Sequence, residues 1–344
     1  MTRGPWHRQV RACVLTIVTF LALIPLTGHS VGAETKTILG VFYRGCEETC
    51  EGFQKRLAES SLDVKFVVRD VAQDKSQLPS VVEEAHAMKA DLVLTWGTSV
   101  TLGIIGKLSD ADDPRFLNDI PVVFTVVADP FGSGIAKSFD GSGRANVTGT
   151  FNRVPEPVNV QIIRQYDPDF AKLGLLYNSN EANSALKFEE LSELAPTLGV
   201  ELVAVELSTN GTNPPDPTAI SEGLTKLKQL GVKWMYLGSS SFLRANAKVL
   251  GPAAADAGIG LVTPYEDMVV QGNALLSVAA RYYDVGRLAA DQSLKILRDG
   301  AKPGDLPIMP MTDFAYVINM DVAKKLDRLP PFAFLQVAET VGGE

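Results

Sequence analysis

Three short apolar stretches in the first half of this chain return in the second half, in the same order and at a nearly constant offset. Leu39-Gly40-Val41-Phe42-Tyr43 is echoed by Leu173-Gly174-Leu175-Leu176-Tyr177. Asp91-Leu92-Val93-Leu94, running into Gly97-Thr98-Ser99, is echoed by Trp234-Met235-Tyr236-Leu237, running into Gly238-Ser239-Ser240. Ile120-Pro121-Val122-Val123-Phe124 is echoed by Ile259-Gly260-Leu261-Val262-Thr263. Apolar strands resemble one another, so no single match carries weight. Three in order constrain the chain to two similar α/β lobes, each a doubly wound parallel sheet. Two such lobes set two rows of strand ends face to face. Ligands of open α/β sheets bind beyond the carboxyl ends of strands, so the duplication predicts a cleft.

Strand and helix signals alternate along both halves, the rhythm of βαβ units. In the first half, strands are expected at 37–43, 64–68, 92–95 and 121–127, with helices at 49–60, 78–90 and 100–108. In the second, strands are expected at 172–177, 201–207, 233–237 and 260–263, with helices at 182–198, 218–230 and 242–257. The first crossing between lobes is expected near 148–158, where Gly149, Pro155 and Pro157 interrupt the pattern. The return is expected near 271–277, before an amphipathic helix at 282–298, and a strand-then-helix tail crosses once more. The expected division is a signal peptide at 1–33, a first lobe of 34–150 plus 274–305, and a second lobe of 151–273 plus 306–344. Two or three hinge strands of this kind let lobes close over a ligand.

The N-terminus carries Arg3, Arg8 and Arg11 and no acid before Glu34, followed by an apolar run from Ala12 to Leu26. Val31-Gly32-Ala33 supplies the small residues of a cleavage site, so export to the periplasm with cleavage after Ala33 is expected. The run is shorter than the roughly 20 apolar residues of a spanning helix. The chain has 32 basic and 40 acidic residues, a net charge of −8. Loss of the first 33 residues removes three arginines and no acid. A protein this acidic gains no counterion-release affinity for nucleic acid. Three histidines are present, and only His86 lies beyond the leader; this nearly excludes a multi-histidine zinc site and leaves one candidate base for a Ser-His-Asp triad. Cys46 and Cys50 remain after cleavage. An even pair in an exported chain reads as a disulfide, with a soft-metal site as the alternative.

The candidate ligand contacts lie at the predicted strand ends. Thr98 and Ser99 open a helix whose free N–H groups favour an anion, or simply cap it. Ser239 and Ser240 take the matching place in the second half. Asp129, at the end of a buried strand and ahead of Phe131, is a partner for an ammonium group or a turn-former. Asn178, Glu181 and Ser184 belong to a polar strand-to-helix loop. Tyr265 and Glu266 follow the last strand of the second half. Trp96 and Phe131 suggest an apolar or aromatic ligand group.

These same residues resemble the ABC-transporter substrate-binding proteins related to the tryptophan and tyrosine uptake binders. The likeness rests on Ile120-Pro121-Val122-Val123-Phe124-Thr125 with Asp129-Pro130, and on Asn146-Val147-Thr148-Gly149. It continues through Leu175-Leu176-Tyr177-Asn178 with Glu181-Ala182-Asn183-Ser184, Tyr282-Tyr283-Asp284-Val285-Gly286-Arg287, and Val317-Ile318-Asn319. The resemblance implies a type I periplasmic-binding-protein clamshell. It implies a monomer that captures a small ligand, often an aromatic amino acid, and delivers it to a membrane permease with a cytoplasmic ATPase. It supports cleft positions for Thr98, Ser99, Asp129, Ser184 and Ser240. Arg44-Gly45-Cys46-Glu47-Glu48-Thr49-Cys50 departs from the family at a cleft-facing loop. The alternative output is a module that presents its ligand to a sensor kinase or chemoreceptor. Neither reading requires a cofactor or covalent chemistry.

Overall fold

The computed structural model describes residues 35–207, 214–238 and 240–343; the expected signal peptide, 1–33, lies outside them. The first half runs β1 (Lys36–Phe42), α1 (Glu48–Ala58), β2 (Val64–Asp70), α2 (Leu78–Ala87), β3 (Leu92–Trp96), α3 (Thr98–Ile105), β4 (Val122–Thr125) and β5 (Val147–Phe151). The second half runs α4 (Glu156–Tyr166), β6 (Lys172–Tyr177), α5 (Ala182–Thr197), β7 (Glu201–Glu206), α6 (Thr218–Gln229) and β8 (Trp234–Tyr236). It continues through α7 (Ser241–Ala245), α8 (Ala247–Asp256), β9 (Gly260–Thr263), α9 (Glu266–Val270) and β10 (Leu276–Ala279). The tail adds α10 (Tyr282–Leu297), β11 (Met309–Pro310), β12 (Ala315–Asn319), α11 (Met320–Lys325), α12 (Phe332–Leu335) and β13 (Glu339–Val341).

The strands form two sheets, ordered β11-β5-β4-β3-β1-β2 and β13-β12-β10-β9-β8-β6-β7. Removing the tail strands leaves 5-4-3-1-2 in the first sheet and 10-9-8-6-7 in the second, the same order shifted by five. The echoed stretches therefore occupy equivalent strands: β1 with β6, β3 with β8, and β4 with β9. Pairing within these cores is parallel. β12 is antiparallel to β10.

Burial follows from position in the sheet. β3 and β4 lie inside the sheet with helices on both faces, and Leu92–Thr95 and Val122–Thr125 are buried without interruption. β2 is an edge strand and mixes partly buried and exposed residues. Within β1 the side chains point alternately to two cores. Leu39 and Val41 face a cluster with Ile104 of α3 and Val81 of α2. Ile38 and Phe42 face one with Phe53 of α1 and Ala289 and Leu294 of α10. The second lobe repeats the arrangement, with Leu173 and Leu175 on one face and Leu176 on the other. Its largest buried side chain, Trp234, donates its indole N–H to Asp167 at 2.7 Å.

The boundaries differ from expectation in two places. β10 pairs with β9 and β12 in the second sheet, so the return to the first lobe falls after Ala279 rather than at 274. β11 pairs with β5 in the first sheet, so the last departure falls after Pro310 rather than at 306. Both pieces are short strands whose apolar residues fit either sheet, and only the ladder partner decides. Three segments thus cross between lobes, at 152–155, 280–281 and 311–314. The helix expected at 242–257 is split into α7 and α8 at Asn246, whose side chain donates to the Phe242 carbonyl at 2.9 Å and competes with helix continuation.

The helix that returns to the first lobe packs with unusual closeness. A Cβ on Gly286 of α10 would lie 2.0 Å from the Thr49 carbonyl oxygen, and one on Gly52 of α1 would lie 2.0 Å from that of Tyr283. The two glycines let α1 and α10 meet backbone to backbone.

Candidate functional site

The first lobe turns from strand to helix at the end of β3. β3 ends at Trp96, and Gly97, with φ of +85°, turns the chain into α3. Gly97 itself is the N-cap, and neither Thr98 nor Ser99 makes a side-chain cap. Both are half-buried. Of the two roles open to these hydroxyls, the capping one is therefore not taken. Behind them, Thr95 and Thr101 share a 2.9 Å hydrogen bond, and Thr101 donates to the Gly97 carbonyl at 2.8 Å, which fixes the turn.

β4 leads through Val126, whose φ of +54° is rare for a β-branched residue, into the Asp129 loop. One Asp129 oxygen accepts from the backbone N–H groups of Phe131 at 3.1 Å and Gly132 at 2.8 Å. Asp129 thus forms its own turn. Phe131 packs edge-on against Phe139 at 4.7 Å and lies 6.2 Å from Phe151, so its ring belongs to an aromatic cluster at the ends of β4 and β5.

In the second lobe, several expected contacts bind one another. Ser184, 2% exposed, accepts from the Asn178 backbone N–H at 2.9 Å, and the Asn178 side chain accepts from Asn180 N–H at 3.0 Å. Glu181 accepts from the Ser240 hydroxyl at 2.8 Å and from the Ser241 N–H. Ser240 in turn accepts from Leu243 N–H at 3.2 Å as N-cap of α7. These residues hold their loops at the strand ends. Ser239 lies outside the described residues. Tyr265 is half-buried, and Glu266 is exposed in the first turn of α9. Burial raises the Tyr265 phenol above its ordinary pKa, against the opposing charge of Arg244.

Sequence reasoning missed the arginines. The Arg44 guanidinium sits 5.9 Å from the Trp96 ring, and that of Arg244 sits 4.1 Å from the Tyr265 ring. Each lobe thus presents an aromatic ring with a cation beside it. Tyr282, at the hinge, lines a hollow of about 440 Å³ with Arg44, Glu47, Glu48, Thr49 and Glu51. A signal for Arg44 was present, because the Arg44–Cys50 loop directly follows β1. Cys46 and Cys50 are bridged, with Cα atoms 5.1 Å apart. α1 begins at Glu48, so Cys46 lies in the loop before the helix, exposed, while Cys50 is fully buried.

A second omission is a charge cluster where the first crossing meets the second lobe. Glu156 of α4 and Lys187 of α5 are almost fully buried and paired, and Glu190 and Arg153 complete the group. Burial alone would raise the Glu190 carboxyl. The hydrogen bonds from Lys187 and Arg153 outweigh it and bring its pKa below the ordinary value. Burial alone would lower the Arg153 pKa, but Glu190 and Glu156 raise it. Among the described residues, no three His, Cys, Asp or Glu side chains are placed to hold a metal ion.

Comparison with known proteins agrees with this architecture. The tyrosine-binding protein of Clostridioides difficile (strain R20291) is 24% identical over 281 residues, which cover 80% of this chain and 76% of that one. The ligand-free, open structure of a substrate-binding protein with adhesive properties from Clostridium difficile has a TM-score of 0.76 at 20% identity, covering 90% of this chain and 100% of that one. The ABC domain in complex with L-Trp from Streptococcus pneumoniae has a TM-score of 0.61 at 23% identity, covering 89% and 100%. The fold is the two-lobed clamshell of type I periplasmic binding proteins. Residues 41–341 match the family described as ABC transporter substrate binding protein, and the chain belongs to that family.

Proposed function

We propose that this protein is the extracytoplasmic receptor of an ABC importer, that it closes its lobes over an aromatic amino acid, and that it delivers the ligand to a membrane permease. The observation that carries the ligand class is the pair of walls, Trp96 with Arg44 on one lobe and Tyr265 with Arg244 on the other. Aromatic rings give area and edge-to-face geometry to a ligand ring. In this reading Thr98, Ser99 and the first amides of α3 receive the carboxylate from the first lobe, and exposed Glu266 receives the ammonium group. The tyrosine-binding relative supports the same class. Among the described residues no helix is long and apolar enough to cross a membrane, in keeping with a receptor that works on a separate permease.

A thermal-shift screen of amino acids, purines, sugars and organic acids tests the reading. A ligand at a hundred times its Kd adds about 2.7 kcal/mol of stability. The expected result is a rise in Tm confined to aromatic amino acids. Hits from sugars or purines alone would retire the ligand class.

A further inference from the structure

Arg153 is held at one end and open at the other. It lies two residues beyond β5, on the first segment that crosses between lobes. Its Nη2 donates to Glu156 at 3.3 Å and to Glu190. Lys187 donates to the same two carboxylates, at 2.8 Å for Glu190. Two cations and two carboxylates balance in charge. The Glu156 and Lys187 side chains are only 2% and 3% exposed. Moving any member would leave a desolvated charge unpaired, so the guanidinium is fixed in place.

An arginine has five N–H donors, and the two carboxylates are reached through Nη2 alone. Nε and Nη1 donate to no described residue, and the side chain is 30% exposed. The neighbouring Asn152 has a buried side-chain oxygen without a hydrogen-bond partner. Tyr236, at the carboxyl end of β8, is 4% exposed. Burial and the Glu156 carboxylate raise its phenol pKa, against the opposing charge of Arg153. A pinned cation with unused donors is the arrangement of a preorganised anion site, and the Asn152 oxygen beside it is left as an acceptor for a donor of the same ligand.

We propose that Arg153 binds the carboxylate of the solute, its Nη1 taking one oxygen while Thr98 and Ser99 take the other. The inference rests on the solute-binding reading and deepens it. It places the carboxylate between the first lobe and the hinge, so that binding and lobe closure become one event.

The test is calorimetric titration of the wild type, Arg153→Gln and Arg153→Lys with L-tyrosine, L-tryptophan and L-tyrosinamide. The wild type should prefer L-tyrosine over L-tyrosinamide by roughly ten- to a hundredfold, the range for a hydrogen bond to a charged group. Arg153→Gln should lose most of that preference, its affinity for L-tyrosine falling far more than its affinity for the amide. Arg153→Lys keeps a charge for Glu156 and Glu190 and serves if the glutamine variant fails to fold; its preference should fall severalfold. An unchanged carboxylate preference in a folded Arg153 variant overturns the inference and leaves the solute reading intact. A wild type that binds neither L-tyrosine nor L-tryptophan overturns the ligand class and this inference together.

Discussion

The Ser240 hydroxyl donates to the Glu181 carboxylate at 2.8 Å across 59 residues of sequence. Glu181 stands at the N-cap of α5 and Ser240 at the N-cap of α7. A carboxylate that accepts from the first amides of α7 satisfies orphan donors and complements the helix dipole. Glu181→Ala should lower stability by about 1–2 kcal/mol. A double-mutant cycle with Ser240→Ala, read by urea denaturation, should show a coupling of at least ~0.5 kcal/mol. Strict additivity would mean that the two residues do not act as a unit.

Close approach of α1 and α10 makes Gly286 intolerant of a side chain. The added carbon of Gly286→Ala would meet backbone, which cannot rotate away. Overpacking of this kind costs about 1–3 kcal/mol, and Gly52→Ala should behave the same way. Exposed Gly231, with no atom within 4 Å of its would-be Cβ, is not a matched control because its φ is +75°. Exposed Ala58 on the same α1 helix is a better one, and Ala58→Ser should leave Tm nearly unchanged.

The Cys46–Cys50 bridge closes a very short loop. Chain entropy then gives about 2 kcal/mol, so dithiothreitol should lower Tm modestly and leave the chain folded. The Cys46→Ser/Cys50→Ser variant should start at the lower Tm and ignore the reductant. Because Arg44 precedes the bridge by two residues, ligand affinity should fall with reduction more than stability alone explains.

Glu190 links stability to pH. Its pKa lies below the ordinary 4.5 in the folded chain. The ionised form is therefore favoured by folding, and the contribution is present in full above 4.5. It is lost as pH falls through the folded value. Acid titration of stability should show a drop beginning below pH 4.5, and Glu190→Gln should flatten it while lowering stability at neutral pH. An unaltered slope would mean that other carboxylates carry the transition.

The fold was legible because its signals are local. Echoed strands such as Leu39–Tyr43 and Leu173–Tyr177 are apolar where buried on both faces, and that pattern needs no knowledge of partners. The assignments of β10 and β11 were not legible, since a four-residue and a two-residue strand carry no mark of the sheet they join. The strand ends named as cleft positions were identified from the same periodicity. Which of their side chains stay open was not legible. Glu181 and Ser184 satisfy their neighbours, and Ser184 does so through a backbone amide that no sequence pattern exposes. The Arg153 cluster was missed for a related reason. Its partners Glu190 and Lys187 lie over 30 residues away on another element, and each alone reads as an ordinary surface charge.

The lobe that begins the chain is finished by residues near its end. Ala289, Ala290, Leu294 and Ile296 of α10 share a core with Ile38, Phe42, Cys50 and Phe53, and β11 adds its sheet's last strand. A chain emerging amino-terminus first therefore holds this core unfinished until residues 289–296 have followed it. The second lobe, whose strands β6 to β10 are nearly contiguous, assembles its sheet centre earlier. The first lobe's core thus waits for α10, and a truncation at its apparent end near 151 leaves the sheet face that α10 covers exposed rather than yielding a free-standing domain.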